Sequence, residues 1–308
     1  MVSALYRPEG SWVAIPTPFN EDESIDFKGL FELIDFQAQN GTSALLIMGS
    51  AGETTLLSTD EKKEIIARAA EYARGRIPVF FGTTCPSTKD TVKLSKYVQD
   101  AGADGVVLSV PPYLRPPQEA IYQHFLTVMK SVEIGVGLYN NPVRVGANID
   151  PPTIARLAAE APNFVADKEA MPDVQQLVEV LRLTGGKVNL LCCDYPGYSI
   201  VMPTLALGGH GTANIGGNVM PGEMAEMSRP WKSIEDVQRT REIYFRIYPL
   251  LKLLYTLSNP IVIKPALTLM GLPSGKPRRP LPELDPKKIE ELKATMQELG
   301  VFEKYGRN

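Results

Sequence analysis

The sequence predicts an α/β fold, a (β/α)8 TIM barrel followed by a C-terminal helical appendix. Eight short apolar runs rich in β-branched residues recur along the first 215 residues, and stretches with helical periodicity lie between them. Alternating strands and helices indicate parallel βαβ units, and eight such units close into a barrel. No glycine lies between residues 12 and 19, where a Rossmann domain would carry its G-x-G-x-x-G motif, so a dinucleotide-binding domain is excluded.

The eight apolar runs are the predicted strands of the barrel, because short apolar runs bounded by turn residues are typical of buried parallel strands. They span residues 12–16, 44–48, 78–82, 105–110, 135–139, 164–168, 188–193 and 211–215. The glycine-rich segment 208–211 precedes the last run and fits a tight turn into the eighth strand.

The helices are predicted from the spacing of apolar residues and from capping residues. In residues 27–40, Leu30, Leu33 and Ile34 share one face at i, i+3, i+4 spacing. Ser58 and Asp60 are good capping residues at the start of residues 59–72. The seven predicted helices of the barrel span residues 27–40, 59–72, 88–101, 118–131, 152–160, 173–183 and 198–207.

No strand-like run follows Trp231. Three helices are predicted there instead, over residues 236–254, 260–270 and 287–299. The sequence therefore predicts a barrel over residues 1–231 and a C-terminal helical region over residues 232–308, which packs on the barrel and contributes to its assembly surface.

The charge balance and the scarcity of histidine and cysteine exclude several classes of protein. The 308 residues contain 32 Lys and Arg against 35 Asp and Glu, and this lack of basic excess argues against nucleic acid as a partner. The only histidines are His124 and His210 and the only cysteines are Cys85, Cys192 and Cys193, which disfavours a zinc site or a Ser-His-Asp hydrolase. No apolar run approaches the roughly 18 residues of a membrane span, so no membrane is expected as a partner. An odd number of cysteines fits a reducing compartment, and we expect a cytoplasmic protein.

Active sites of such barrels lie at the C-terminal ends of the strands, and the ends of the second, fifth and sixth predicted strands carry suitable groups. The turn at residues 49–53 holds glycines that let the backbone N–H groups of Ser50 and Ala51 approach an anion, although a plain βα turn has the same composition. Tyr139 ends the fifth strand, where packing with a satisfied hydroxyl is the alternative. Arg144 follows it, either to grip a carboxylate or simply to be solvated.

The sixth predicted strand brings Lys168 to its end, between Asp167 and Glu169. Because side chains alternate along a strand, Lys168 shares a face with Phe164 and Ala166. If that face is the barrel interior, confinement disfavours the ammonium and leaves a neutral amine that attacks carbonyl groups. The alternative is a strand end that leaves the core with three solvated charges.

The chain resembles the pyruvate-dependent class I aldolases, the family typified by dihydrodipicolinate synthase and N-acetylneuraminate lyase. The resemblance runs from Trp12 to about Leu284 and is closest to the dihydrodipicolinate synthases. The matching segments are residues 16–19 (PTPF), 49–53 (GSAGE), 113–125 (YLRPPQEAIYQHF), 139–146 (YNNPVRVG), 168–170 (KEA), 208–221 and 259–267 (NPIVIKPAL).

The resemblance implies a role for each of several residues. Lys168 matches the lysine that forms an imine with the ketone of pyruvate, and Tyr139 matches the tyrosine that shuttles protons to and from the carbinolamine. Ser50 matches a hydroxyl residue that links this tyrosine to Tyr113 of a neighbouring subunit. The backbone N–H groups of Ser50 and Ala51 would hold the pyruvate carboxylate.

Two further matches concern the second substrate and the assembly. The carbonyl of Ala213 lies at a position that contacts bound substrate in the family, and Arg144 matches the arginine that holds the carboxylate of aspartate semialdehyde. The resemblance therefore implies a lyase or synthase that condenses pyruvate with a small carboxylated aldehyde, with no cofactor beyond the covalent imine. It also implies a homotetramer, and at least a homodimer, because Tyr113 must come from a second subunit.

Two other functions are compatible with part of this interpretation. A 2-keto-3-deoxy sugar acid aldolase or dehydratase would use the same imine with another substrate. A non-catalytic barrel that binds a keto acid would use the pocket without the chemistry.

Three departures from the family pattern accompany the resemblance. The synthases usually have Thr-Thr where this chain has Ser50-Ala51, so a side-chain donor is lost. An aliphatic residue usually precedes the lysine, whereas here Asp167 points away from Lys168 toward the helix layer, and we expect it to be paired with a basic residue or a hydroxyl. The Cys192-Cys193-Asp194 segment replaces a glycine-containing turn, and the sequence offers no interpretation of it.

Overall fold

The computed structural model describes residues 5–193 and 197–307, and its centre is a closed barrel of eight parallel strands. Neighbouring strands follow the order of the chain, and the last strand pairs with the first. The predicted fold class is confirmed, and each strand begins and ends within two residues of its predicted bounds. The strands are β1 Gly10–Ala14, β2 Ala44–Ile47, β3 Val79–Gly82, β4 Gly105–Ser109, β5 Gly135–Asn140, β6 Phe164–Glu169, β7 Asn189–Cys193 and β8 Gly211–Asn214.

Helices follow the strands and cover the outside of the barrel. They are α1 Phe27–Gln39, α2 Thr59–Ala73, α3 Thr88–Asp100, α4 Gln118–Met129, α5 Pro142–Val145, α6 Pro151–Glu160, α7 Val174–Thr184, α8 Val201–Ala206, α9 Pro221–Met227, α10 Ile234–Leu253, α11 Ile263–Leu269, α12 Pro286–Glu298 and α13 Val301–Tyr305. The short helices α5, α9 and α13, of four, seven and five residues, were not predicted.

All side chains of β6 are buried, and they alternate between the barrel interior and the helix layer. Lys168 is 3% exposed, and its neighbours Asp167 and Glu169 on the opposite face are completely buried as well. Glu169 accepts hydrogen bonds from Asn140 Nδ2 at 3.0 Å, Gln176 Nε2 at 3.1 Å and the backbone N–H of residue 171 at 2.7 Å. Burial nevertheless raises the pKa of Glu169 to about 7.

Asp167 has no such partners, and the prediction that it is paired was wrong. Both carboxyl oxygens are buried without a hydrogen-bond partner among the described residues. In the sheet Asp167 lies between Leu138 and Leu190, and the amides of Asn140 and Gln176 are bonded to Glu169. Burial, and to a lesser extent the charge of Glu169, raise the pKa of Asp167 well above its usual range. Burial without a partner therefore favours the protonated, uncharged form of this carboxyl.

A buried ion pair fastens the C-terminal helices to the turn after β2. Lys264 Nζ in α11 lies 2.7 Å from Glu53 Oε1, and both side chains are at most 1% exposed. Glu53 also accepts a 2.7 Å hydrogen bond from the backbone N–H of Arg278. Burial lowers the pKa of Lys264 to about 8, although the charge of Glu53 acts in the opposite direction. The boundary expected near Trp231 falls between α9 and α10, and this ion pair crosses it.

Replacing Asp167 with valine should raise the free energy of unfolding by about 1–3 kcal/mol at pH 8, because it removes a carboxyl that is buried without a partner. The gain should shrink toward pH 5. Asp167 and Glu169 hold their protons more tightly in the folded chain, so unfolding releases protons and the native chain loses stability as the pH rises. For Glu169 this loss falls between about pH 4.5 and pH 7. Urea unfolding at both pH values measures the effect.

Asp167→Asn is the matched control for that substitution. It removes the titrating group and keeps the polar atoms, so its gain at pH 8 should be smaller than that of Asp167→Val. Equal stability of Asp167→Val and the native chain at pH 8 would contradict an uncompensated burial.

Replacing Lys264 with methionine should lower the free energy of unfolding by about 3–5 kcal/mol, since Glu53 would be left as an unpaired buried charge. Lys276→Met is the matched control, because Lys276 pairs with Glu283 at the surface, with side-chain exposures of 78% and 64%. Such an exposed pair contributes about 0–1 kcal/mol. If urea unfolding gave the same loss for both variants, the buried pair would not be an anchor.

Candidate active site

A cavity of about 410 Å³ opens at the C-terminal ends of the strands. Its lining comes from the ends of β2 to β6, the turn after β2, α5 and the C-terminal region. The lining residues are Leu46, Met48, Gly49, Ser50, Glu53, Thr54, Thr55, Leu56, Gly82, Thr84, Val107, Ser109, Pro112, Tyr139, Arg144, Val145, Lys168, Ser258, Asn259, Pro280 and Leu281. Four predicted site residues, Ser50, Tyr139, Arg144 and Lys168, therefore meet in one cavity.

Lys168 and Tyr139 face each other across the boundary between β5 and β6. The two residues are register partners in the parallel pair, so both side chains point into the barrel at the same level. Lys168 Nζ lies 4.4 Å from the centre of the Tyr139 ring. The amine forms no ion pair with any described residue, although it is almost completely buried. The geometry thus offers a confined amine beside a phenol.

The hydroxyl of Tyr139 has two contacts with other side chains. It accepts a 2.7 Å hydrogen bond from Asn141 Nδ2 and lies 3.7 Å from Cys193 Sγ. Burial raises the pKa of Tyr139 well above its ordinary value, and Cys193 adds to this, whereas the charge of Arg144 and the amide of Asn141 act the other way. At neutral pH the side chain is therefore a phenol with a proton to donate.

The turn after β2 has the form of an anion cradle. Met48 and Glu53, which flank it, both adopt left-handed backbone conformations, with φ of 57° and 54°. The N–H groups of Ser50 and Ala51 form no hydrogen bond within the described chain, so they are available to a ligand. Gly82 makes room for this turn, because a Cβ there would lie 2.2 Å from the Met48 carbonyl oxygen. Successive free N–H groups in such a turn bind anions.

Arg144 stands on the one-turn helix α5, which directly follows β5. Pro142 begins the helix, and the Asn141 side chain accepts a 3.1 Å hydrogen bond from the backbone N–H of Arg144. The guanidinium reaches the mouth of the cavity and forms no ion pair with any described residue. A fixed, exposed guanidinium at this place suits the carboxylate of a substrate.

Three predicted site residues do not line the cavity of the single chain. Ala51, in the turn after β2, has a completely buried side chain. Tyr113 is 93% exposed, in the loop between β4 and α4, with a left-handed φ of 77°. Ala213 is buried in β8, in register with Cys193 and Trp12, and its side chain does not line the cavity. Ser50 lines the cavity, but no hydrogen bond joins it to Tyr139 in the described chain. The relay from Tyr139 through Ser50 to Tyr113 stays a prediction.

The structure adds site residues that the sequence did not single out. Ser109 ends β4 in register with Tyr139, and its backbone N–H donates a 2.8 Å hydrogen bond to Thr84 Oγ1. Both residues line the cavity. Ser109 shares the inward face of Val107, so the alternation that identified Lys168 would also have found it. Asn259 had no such signal, because it comes from a loop of the C-terminal region.

The histidines have structural surroundings outside the cavity. His124 Nδ1 in α4 is 2.8 Å from Thr88 Oγ1, and His210 Nδ1 accepts a hydrogen bond from the backbone N–H of Leu190. Across residues 5–193 and 197–307, no group of three His, Cys, Asp or Glu residues is arranged to hold a metal ion. None of the helices in these ranges is long and apolar enough to cross a membrane.

Comparison with known proteins agrees with this geometry. A sequence model of the Dihydrodipicolinate synthetase family matches residues 7–299. A 4-hydroxy-tetrahydrodipicolinate synthase of Aquifex aeolicus is 36% identical over 290 residues, which cover 94% of this chain and 97% of the relative. Its counterpart in Geobacter metallireducens is 38% identical over 94% of this chain and 98% of the relative.

A solved structure also resembles this chain. The crystal structure of dihydrodipicolinate synthase from Aquifex aeolicus superimposes with a TM-score of 0.91 at 35% identity, covering 98% of this chain and 100% of that one. The predicted resemblance is thereby confirmed, together with the fold and the enzyme class. The chain belongs to the dihydrodipicolinate synthetase family.

Proposed function

We propose that the chain condenses pyruvate with aspartate semialdehyde, as a 4-hydroxy-tetrahydrodipicolinate synthase, through an imine on Lys168. The observation that carries the proposal is the buried Lys168 amine against the Tyr139 ring, at the C-terminal end of the barrel. The relatives in Aquifex aeolicus and Geobacter metallireducens both bear the name of this activity, which supports the proposal.

The residues of the cavity account for each step of imine formation. The Lys168 amine attacks the pyruvate ketone to give a carbinolamine, and Tyr139 donates a proton to the departing hydroxyl, which leaves as water. The resulting protonated imine is an electron sink, so the pyruvate methyl group loses a proton to the Tyr139 phenolate and becomes a nucleophilic enamine. The enamine attacks the aldehyde, whose oxygen takes up the proton from Tyr139. The amino group of aspartate semialdehyde then attacks the imine carbon, which closes the ring of the product and releases the Lys168 amine. Because the imine itself withdraws the electrons, the reaction needs no organic cofactor.

Two anion sites would hold the substrates in place. The N–H groups of Ser50 and Ala51 would bind the pyruvate carboxylate, and Arg144 would bind the carboxylate of the aldehyde. The carbonyl of Ala213 would contact the bound substrate from β8. The anionic substrates would thus be bound by these local groups, because the chain as a whole has a net charge of -3 and does not attract anions.

The assembly and the location follow as parts of the same proposal. Tyr113 projects from the chain on a left-handed backbone, as expected of a side chain that enters the cavity of a second copy. The active unit is therefore at least a homodimer, and we favour a homotetramer. The odd number of cysteines supports a cytoplasmic location.

Incubation with pyruvate and borohydride should reduce the imine to a stable adduct on Lys168, visible by peptide mass mapping. The adduct should be absent in Lys168→Ala. Lys264 is the internal control. It is also a buried lysine, burial lowers its pKa to about 8, and it should stay unmodified. A protein that binds pyruvate without forming the adduct would be a keto-acid-binding barrel instead.

Replacing Arg144 with alanine should raise the KM for aspartate semialdehyde about 10- to 100-fold, the effect of losing a hydrogen-bonded charge partner. The KM for pyruvate should stay within about twofold, because its carboxylate lies at the other anion site. Propionaldehyde, which lacks the carboxylate, serves as the control substrate, and its turnover should be equal in both proteins. Higher activity of the native chain with 2-keto-3-deoxy sugar acids would favour the aldolase alternative.

A further inference from the structure

The side chain of Asn141 joins the phenol of Tyr139 to the helix that carries Arg144. Its Oδ1 accepts the backbone N–H of Arg144 at 3.1 Å, as an N-cap does, and its Nδ2 donates to the Tyr139 hydroxyl at 2.7 Å. The cap fixes the orientation of the amide, because only the oxygen can accept from the helix N–H. Asn141 is completely buried, so neither bond competes with water.

Cys193, on a different strand, contacts the same hydroxyl. Its sulfur lies 3.7 Å from Tyr139 Oη, at the end of β7 and 1% exposed. A phenolic oxygen has one proton to donate and two lone pairs. Since the amide of Asn141 occupies a lone pair, the O–H bond is left to point toward the thiol or toward a substrate oxygen. Sulfur is a weak acceptor, so it orients the proton without withholding it from a better acceptor.

We propose that Asn141 and Cys193 are positioning residues that together direct the Tyr139 O–H bond toward the carbinolamine hydroxyl. Asn141 also sets the phenol relative to α5, and so relative to the carboxylate site at Arg144. This inference rests on the proposed function and deepens it, because it names the groups that prepare the proton donor. It also gives a role to the Cys192-Cys193 segment, which the sequence left without interpretation, although Asp194 lies outside the described residues.

The electrostatic effects of the two contacts on Tyr139 support separate roles. The amide of Asn141 donates to the phenolic oxygen and thereby lowers the pKa of Tyr139, whereas Cys193 raises it. The two residues therefore have opposite electrostatic effects on the hydroxyl instead of repeating one interaction.

Two substitutions of Asn141 separate its cap from its contact with the phenol. Serine is a good N-cap but is too short to reach Tyr139, and alanine removes both interactions. Asn141→Ser should lower kcat about tenfold and leave the KM for aspartate semialdehyde within twofold. Asn141→Ala should lower kcat to the same degree and also raise that KM severalfold, because α5 loses its cap.

Cys193 is tested by a pair of variants and a matched control. Cys193→Ala should lower kcat about three- to tenfold, and Cys193→Ser should restore it to within about twofold, because a hydroxyl can accept the same proton. Cys85→Ala is the control, since Cys85 is half-buried, does not line the cavity and should have no effect. In Asn141→Ser and Cys193→Ala the solvent deuterium isotope effect on kcat should rise, as proton donation becomes slower.

The borohydride trap with pyruvate distinguishes the two levels of the proposal. If the native chain forms no adduct, the proposed function fails, and this inference fails with it. If the native chain forms the adduct but either Asn141→Ser or Cys193→Ala turns over at the native rate, only the positioning role is overturned. Should Asn141→Ser fail to fold, the contrast between Cys193→Ala and Cys193→Ser still decides the matter.

Discussion

The alternation of side chains along β6 is the constraint on which much of the structure depends. A strand that points Lys168 into the barrel must point Asp167 and Glu169 into the helix layer. Glu169 is satisfied there by amides, one of which belongs to Asn140, the residue after Tyr139. The hydrogen bond between Asn140 and Glu169 thus joins β5, which carries Tyr139, to β6, which carries Lys168. Asp167 has no equivalent, and the fold tolerates its burial as the cost of placing the lysine.

The barrel was predictable because its elements are long enough to show their periods. Runs such as Gly105–Ser109 stand out as apolar strands, and Thr59–Ala73 shows both its apolar face and its capping serine. Helix α5 was not predictable in this way, since Pro142–Val145 forms a single turn held by the side chain of Asn141. As a result, the sequence placed Arg144 in a loop, whereas in the structure its backbone is held in a capped helix.

The candidate site was predictable where it depends on strand ends, and less so where it depends on contacts across the fold. Alternation put Lys168 on one face with Phe164 and Ala166, and its burial in the structure shows that this face is the barrel interior, whereas the strand end located Tyr139. The contact between Tyr139 and Cys193 joins residues that are 54 positions apart, so no local sequence pattern predicts it. The partner of Asp167 was expected on general grounds, but the amides of that face are bonded to Glu169. Tyr113 is exposed in the single chain, and its proposed role depends on a second chain.

The anchor between Glu53 and the C-terminal region affects the order in which a newly made chain becomes competent. A ribosome completes all eight strands when it reaches Asn214, yet the turn that would bind pyruvate is held by Lys264 and by the backbone of Arg278. Arg278 lies 225 positions after Glu53, near the end of a chain of 308 residues. The contacts that hold this turn can therefore be complete only after residue 278 has been made, at least 64 residues after the last strand.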